Sequence, residues 1–152
     1  MIYVECAPDK VLIAGLGVPK KEIQHERGKG NICNRLKKSR DSLGVIDEDP
    51  QSAQPSYLNQ LHLEQADYGI KLLSDREKNN HIIVLCPRLE EWLLQAAEEA
   101  GVAPGDYNFP DDPRPMHNIL AARPGNLSDF VKDTKISSKR LKHLADLLRR
   151  YI

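Results

Sequence analysis

Gly44-Val45-Ile46-Asp47-Glu48-Asp49 is a short apolar run that ends in carboxylates. The start of the chain repeats the pattern, because Ile2-Tyr3-Val4 leads into Glu5, and Asp9 follows four residues later. Such runs are typical of buried strands in parallel α/β sheets, whose ligands gather at the carboxyl ends of the strands. We therefore expect these acidic side chains to meet at one edge of a sheet.

Carboxylates that converge at a sheet edge repel one another unless a cation neutralises them. Side chains of an extended segment alternate in direction, so Asp47 and Asp49 are expected to point to the same side. Together with Glu5 they predict a Mg²⁺-type site that acts on phosphodiesters. The alternative is that the two aspartates only cap the next segment and that Glu5 ends a strand in solvent.

The chain has 152 residues, one domain's worth, and a formal net charge of zero. Composition alone therefore gives no indication of nucleic-acid binding. The charge is unevenly placed, because residues 20–40 carry eight lysines and arginines against Glu22 and Glu26. This basic stretch can follow a phosphate backbone or form an ordinary solvated surface, and the sequence leaves both open.

Three cysteines, Cys6, Cys33 and Cys86, are widely spaced and form no Cys/His pattern of the kind that binds zinc. The chain begins directly with a strand-like run, so we expect no signal peptide. Its apolar runs are too short to span a bilayer. We expect a cytoplasmic protein without a membrane partner.

Apolar runs and turn residues predict strand, helix, strand, helix and strand over residues 2–47, an order typical of right-handed crossovers. The run from His81 to Cys86 predicts the strongest strand, and an amphipathic helix follows it up to Gly101. A half-exposed or edge strand is expected around residues 68–72. The fold class is thus α/β, with a central, mostly parallel sheet of about four or five strands and helices on both faces.

The last third of the chain is expected to be less regular. Residues 102–135 contain five prolines, so we predict an irregular connection with one short helix around residues 116–122. A final helix, capped by Ser137 or Ser138, has a leucine stripe and should pack on the same domain. We assign residues 1–100 to the α/β core and residues 101–152 to this connection and helix.

Gly28-Lys29-Gly30 precedes the second predicted helix. Backbone amides at a helix start, assisted by Lys29, can hold a phosphate. The alternative is a turn that needs a positive φ angle. The spacing is not that of a P-loop.

Four of these segments resemble motifs of the Toprim family. Val4–Asp9 resembles its first motif, and Val45–Asp49 resembles its Asp-x-Asp motif. Gly28–Ile32 is similar to a glycine turn in the nuclease-like branch, and Pro87–Leu93 resembles a Pro-x-x-Glu-x-Trp pattern of small stand-alone relatives. The resemblance covers roughly residues 1–100, in a family that includes topoisomerases, primases, recombination proteins and nucleases of the overcoming-lysogenisation-defect class.

The resemblance implies a Toprim-like three-layer fold and a nuclease that uses Mg²⁺ or Mn²⁺ to cleave nucleic acid, with DNA as the expected substrate. By motif position Glu5 would be a metal ligand or the general acid/base, and Asp47 and Asp49 would be metal ligands. Asp9 and Glu90 would serve a second metal. The nuclease branch often works with an ATPase, which here would be a separate chain of a two-gene defence system.

Cys6 stands where most Toprim domains have glycine, and this departure puts activity in question more than fold. The alternative function is a degenerate, non-catalytic Toprim-like module that binds a partner protein or nucleic acid. A receiver-like phosphoacceptor domain fits less well, because its acidic pair belongs at the end of the first strand.

Overall fold

The computed structural model describes residues 1–151 and shows a mixed sheet with helices packed against it. The strands are β1 (Ile2–Val4), β2 (Ile23–His25), β3 (Leu43–Asp47), β4 (His62–Asp67), β5 (Ile70–Asp75) and β6 (Asn80–Leu85). Their order is β2-β1-β3-β6-β5-β4. Neighbours among β2, β1, β3 and β6 are parallel, whereas β5 is antiparallel to both β6 and β4.

The helices lie on both faces of the sheet. They are α1 (Ala7–Gly15), α2 (Lys29–Lys37), α3 (Leu89–Ala100), α4 (Pro113–Ala122), α5 (Pro124–Thr134) and α6 (Lys139–Leu148). Short 3-10 turns span Lys20–Glu22, Ser56–Gln60, Pro104–Tyr107 and Arg149–Tyr151. Helix α2 packs on one face, and the other five helices share the larger core on the opposite face.

The parallel strands contribute apolar side chains to both cores, because successive side chains of a strand point to opposite faces of the sheet. In β3, Val45 belongs to the larger core and Ile46 to the smaller one. Gly44 lets α2 approach β3 closely, since a Cβ there would lie 2.8 Å from Ile32 Cγ2. The parallel strands are therefore anchored on both sides, which fixes where their carboxyl ends lie.

The predicted α/β class and the helices on both faces are confirmed, but the sheet is mixed and has more strands than expected. Strand β4 was missed because its residues are exposed, apart from half-exposed Gln65, and show no apolar alternation. Tyr68 and Gly69 adopt positive φ angles and join β4 to β5 as a hairpin. Of the two alternatives for residues 68–72, the half-exposed strand fits β5, whose buried side chains alternate with more exposed ones; the edge strand does not, because β5 lies between β4 and β6.

The prediction of an irregular connection over residues 102–135 was also wrong in part. The short helix predicted around residues 116–122 is present as α4, but a second helix, α5, follows it, and each of the two begins at a proline. Proline at a first helical position costs no hydrogen bond, so these prolines start helices instead of breaking them. Asp112 caps α4 by accepting a hydrogen bond from the Arg114 amide. Phe130 of α5 is fully buried in the larger core.

Ser138 caps the last helix, as one of the two predicted alternatives, by accepting a hydrogen bond from the Leu141 amide. Leu141, Leu144 and Leu148 of α6 are fully buried in the larger core. Across residues 1–151, no helix has the length and apolar character needed to cross a bilayer.

Candidate functional site

Glu5 and Asp47 follow the carboxyl ends of two neighbouring parallel strands. Strands β1 and β3 pair with Val4 opposite Val45, so Glu5, just after β1, and Asp47, the last residue of β3, lie at the same edge. Glu5 Oε1 accepts a hydrogen bond from the backbone N–H of Asp47 at 2.9 Å. The structure therefore brings together these two residues, which lie far apart in the sequence.

The side chain of Asp47 connects the end of β3 to the start of α3. Its Oδ1 accepts a hydrogen bond from the backbone N–H of Leu89 at 3.1 Å. An amide at a helix start is a favourable donor to a carboxylate. Asp47 is thereby held at the sheet edge, between β3 and the helix that carries Glu90.

Asp9 lies in the first turn of α1 and is only 1% exposed. Its Oδ2 accepts a hydrogen bond from the Cys6 thiol at 3.1 Å. Its Oδ1 is buried and has no hydrogen-bond partner within the described part of the chain. Glu91, Thr134 and His143 each have one such unpaired atom too, so the lone oxygen of Asp9 points to a ligand only together with the neighbouring acids.

Glu90 lies in the first turn of α3 and is 6% exposed. His117 of α4 donates a hydrogen bond from Nδ1 to Glu90 Oε1, at 2.8 Å. This contact connects Glu90 to α4, although the His117 side chain is 67% exposed. The sequence assigned no role to any histidine, because only the packing of α4 on α3 brings the two residues together.

Burial raises the pKa values of Glu5, Asp9 and Asp47. For Asp9, the hydrogen bond from Cys6 opposes this effect, while the charges of Glu5 and Glu90 add to it. For Asp47, the charges of Asp9 and Glu5 add to the effect of burial. Glu5, Asp9 and Asp47, with Glu90 beside them, thus form one electrostatically linked cluster, called here the carboxylate group. Taking up protons or a cation stabilises it.

Asp49 lies outside this group. Strand β3 ends at Asp47, and Asp49 has a φ angle of 39°, so the alternation expected from an extended segment does not reach it. Its Oδ1 lies 3.4 Å from Arg88 Nε, in an ion pair. The charge of Asp49 still raises the pKa of Glu5, although less than burial does. Asp49 is near the group, but its carboxylate contacts a basic partner.

Gly28, Lys29 and Gly30 lie at the start of α2, where Gly28 has a φ angle of 88°. The turn with positive φ, the alternative to phosphate binding, is thus present. Lys29 Nζ donates hydrogen bonds to Glu48 O, Ser52 Oγ and Gln54 Oε1. Its charge also lowers the pKa of Glu5, against the larger effect of burial. Lys29 therefore lies beside the carboxylate group, held by the loop after β3.

The donor chemistry of the group suits a hard cation, although its side chains are not arranged around one. Over residues 1–151, no three His, Cys, Asp or Glu side chains are placed so that they could hold a metal ion together. Glu5 instead contacts the Asp47 amide, and Glu90 contacts His117. The available donors are carboxylate oxygens, which Mg²⁺ and Mn²⁺ prefer, and Asp9 Oδ1 is unpaired.

Comparisons with protein-family models, with curated proteins and with solved structures find no match. The function proposed below depends on the geometry of the carboxylate group and on the motifs themselves.

Proposed function

We propose that this chain is a Toprim-like, divalent-metal-dependent protein that cleaves phosphodiester bonds in nucleic acid. The observation that carries the proposal is the meeting of Glu5, Asp9 and Asp47 at one sheet edge, where Asp9 keeps a buried, unpaired oxygen. Three acids from different elements gain little from being buried together without a counterion. A function that brings a cation to them accounts for the arrangement.

Mg²⁺ or Mn²⁺ would be held by Asp9, Asp47 and Glu5, with Glu90 behind them, after these side chains move from their present positions, in which no three of them could hold an ion together. When bound, such an ion polarises a phosphodiester and lowers the pKa of a water molecule that attacks phosphorus. Asp47 is kept in place by the Leu89 amide, which leaves its other carboxylate oxygen available. Asp49 could join only by leaving Arg88.

Glu5 is suited to handle the proton of the attacking water. It is half-buried, and burial raises its pKa towards the range in which a carboxylate works as a general base. The hydrogen bond from the Asp47 amide orients its carboxylate at Oε1. Lys29, which lies close enough to lower the pKa of Glu5, supplies positive charge for the phosphate.

A non-catalytic binding module is the second candidate function. The contacts that favour it are those that occupy potential ligand atoms, namely the Cys6 thiol on Asp9 and the Arg88 guanidinium on Asp49. A protein that binds nucleic acid or a partner without cleavage has no need to release these contacts. The two candidates differ in whether the carboxylate group binds a metal.

Titration calorimetry with Mn²⁺ and with Mg²⁺ separates them, using the native chain and Asp47→Asn. Asparagine keeps an oxygen that can accept from the Leu89 amide, so the variant should fold. We expect the native chain to bind Mn²⁺ and Asp47→Asn to lose that binding. Asp111→Asn is the matched control, because Asp111 is exposed and lies outside the group.

Cleavage of a labelled DNA strand in Mn²⁺, assayed on the same proteins, completes the test. Activity in the native chain and in Asp111→Asn, but not in Asp47→Asn, would support the nuclease. Metal binding without cleavage of single-stranded or duplex DNA would point to a missing partner, such as the separate ATPase. Equal activity or equal metal binding in Asp47→Asn would contradict the assignment.

A further inference from the structure

A cavity of about 630 Å³ lies beside α1, the helix that carries Asp9. Its walls come from α1, from the segment that includes Lys20 and His25, and from the start and middle of α5. His25 connects it to the site, because Nε2 donates a hydrogen bond to the carbonyl oxygen of Glu5 at 3.2 Å. The volume falls in the range of sites that hold small ligands or segments of larger ones.

Three lysines from different elements line this cavity: Lys10 of α1, Lys20 of the first 3-10 turn and Lys132 of α5. Throughout residues 1–151, none of their ammonium groups forms an ion pair or a hydrogen bond. Lys38, Lys139 and Lys142 also lack such contacts within these residues, so the feature particular to Lys10, Lys20 and Lys132 is that they line one cavity. Three free cations around one concave surface attract an anion with several charges.

Apolar surface lies between the lysines. Val11 and Ala14 of α1 line the cavity together with the small residues Ala7, Gly15 and Gly125. Such a surface accepts the flat, weakly polar body of a nucleobase or sugar, while the lysines hold the phosphates. A concave site of this size also admits a flexible single strand more readily than the rigid, convex surface of a duplex.

We infer that this cavity binds the phosphate backbone of a single nucleic-acid strand and leads it to the carboxylate group at Glu5. The inference deepens the proposed function and depends on it, because it names the strandedness of that function's substrate. Lys10 directly follows Asp9 in α1. Asp9 itself is buried, so the link between the cavity and the carboxylate group is His25, which lines the cavity and contacts the Glu5 carbonyl oxygen.

Lys132 should contribute least of the three lysines. It also borders a smaller depression that contains Asp106, Asp129 and Asp133, and their negative charge weakens its attraction for a phosphate. The expected order of effects is therefore Lys10 and Lys20 first, then Lys132.

The test is fluorescence anisotropy with a labelled single strand of about 12 nucleotides, a length that covers one such site. EDTA is present, so no metal takes part. The proteins are the native chain, the triple variant Lys10→Gln/Lys20→Gln/Lys132→Gln, and the control Lys38→Gln/Lys139→Gln/Lys142→Gln. The control changes net charge by the same amount at three exposed lysines outside the cavity.

We expect the triple variant to bind at least about tenfold more weakly than the native chain, and the control to stay within about twofold. The slope of log K against log salt should become shallower by about 2, because three phosphate contacts on a single strand contribute about 0.7 each. The single variants give the same order of effects should the triple variant fold poorly.

Unchanged binding by the triple variant, no binding by the native chain, or tighter binding of a duplex of the same length would each overturn the inference. So would equally tight binding of a nucleoside monophosphate, which would make the cavity a small-ligand site. Asp47→Asn should bind the strand normally in EDTA. If the strand binds through the lysines and calorimetry shows no metal binding, the inference stands and the proposed nuclease function fails.

Discussion

The inner carboxylates Glu5, Asp9 and Asp47 and the outer carboxylates Glu48 and Asp49 surround the same strand end, in opposite electrostatic surroundings. Of these five carboxylates, only the two outer ones form ion pairs within residues 1–151. The inner ones are more buried, and burial raises their pKa values. The outer carboxylates are thus neutralised by Lys71 and Arg88, whereas the inner carboxylates form no ion pair with a basic side chain.

The outer pairs are local to the surface. Lys71 Nζ lies 2.6 Å from Glu48 Oε2, and Arg88 Nε lies 3.4 Å from Asp49 Oδ1. Such exposed pairs add little stability, but they neutralise charge around the site. Under the proposed function, the outer acids belong to the surface around the site, and the inner acids would bind the cation.

The largest expected effect is on stability as a function of pH in EDTA. Because the pKa values of Asp9 and Asp47 are raised in the folded state, folding favours their protonated forms. This contribution is fully present below about pH 4, the ordinary pKa of aspartate, and is lost as pH rises through the raised values. The free energy of unfolding should therefore fall between about pH 4 and about pH 8.

Asp47→Asn should remove much of that fall, because asparagine stays neutral. Thermal unfolding at about pH 9 should give a midpoint about 5 °C above that of the native chain, with little difference at about pH 4. Asp111→Asn is the control and should follow the native curve. Parallel curves for the native chain and Asp47→Asn would show that the inner group is not electrostatically strained.

A smaller effect is expected from the contact between Cys6 and Asp9. The thiol occupies one oxygen of Asp9 and opposes the rise of its pKa. Cys6→Gly introduces the residue that most Toprim domains carry and frees that oxygen for a metal. We expect Mn²⁺ to bind about fivefold more tightly, the equivalent of one net hydrogen bond of about 1 kcal/mol.

Cys6→Ser is the matched control, because its hydroxyl can still donate to Asp9. It should bind Mn²⁺ like the native chain. If Cys6→Gly binds Mn²⁺ no better than Cys6→Ser, the thiol does not compete with a cation, and the departure from the Toprim pattern has another cause.

The sequence predicts the inner group well because of where its residues fall. Glu5 and Asp47 each end a buried apolar run, and the crossovers that make such strands parallel bring their ends to one edge. Asp9 lies four residues after Glu5, and the start of α1 at Ala7 is enough to place it in the first turn of that helix, beside the end of β1. Each of these steps is local, so it leaves a pattern in the sequence.

The contacts missed by sequence analysis are those between distant elements. Nothing in the spacing indicates that Arg88 reaches Asp49, or that His117 reaches Glu90. The cavity has the same character, because its lysines come from three elements. Strand β4 was missed for a different reason. Its residues are exposed, so its sequence lacks the alternation of apolar and polar residues that burial of one face imposes.

The smallest effect is expected from Lys71→Gln, which removes the partner of Glu48. The hydrogen bond from Lys71 lowers the pKa of Glu48, so its stabilising contribution is lost only as pH falls. The side chains are 46% and 28% exposed, so solvent and salt screen the pair. We expect the free energy of unfolding to change by less than about 1 kcal/mol. Mn²⁺ binding should stay within about twofold. A tenfold change in Mn²⁺ affinity would mean that the outer acids reach the metal, and the division into two groups would then be wrong.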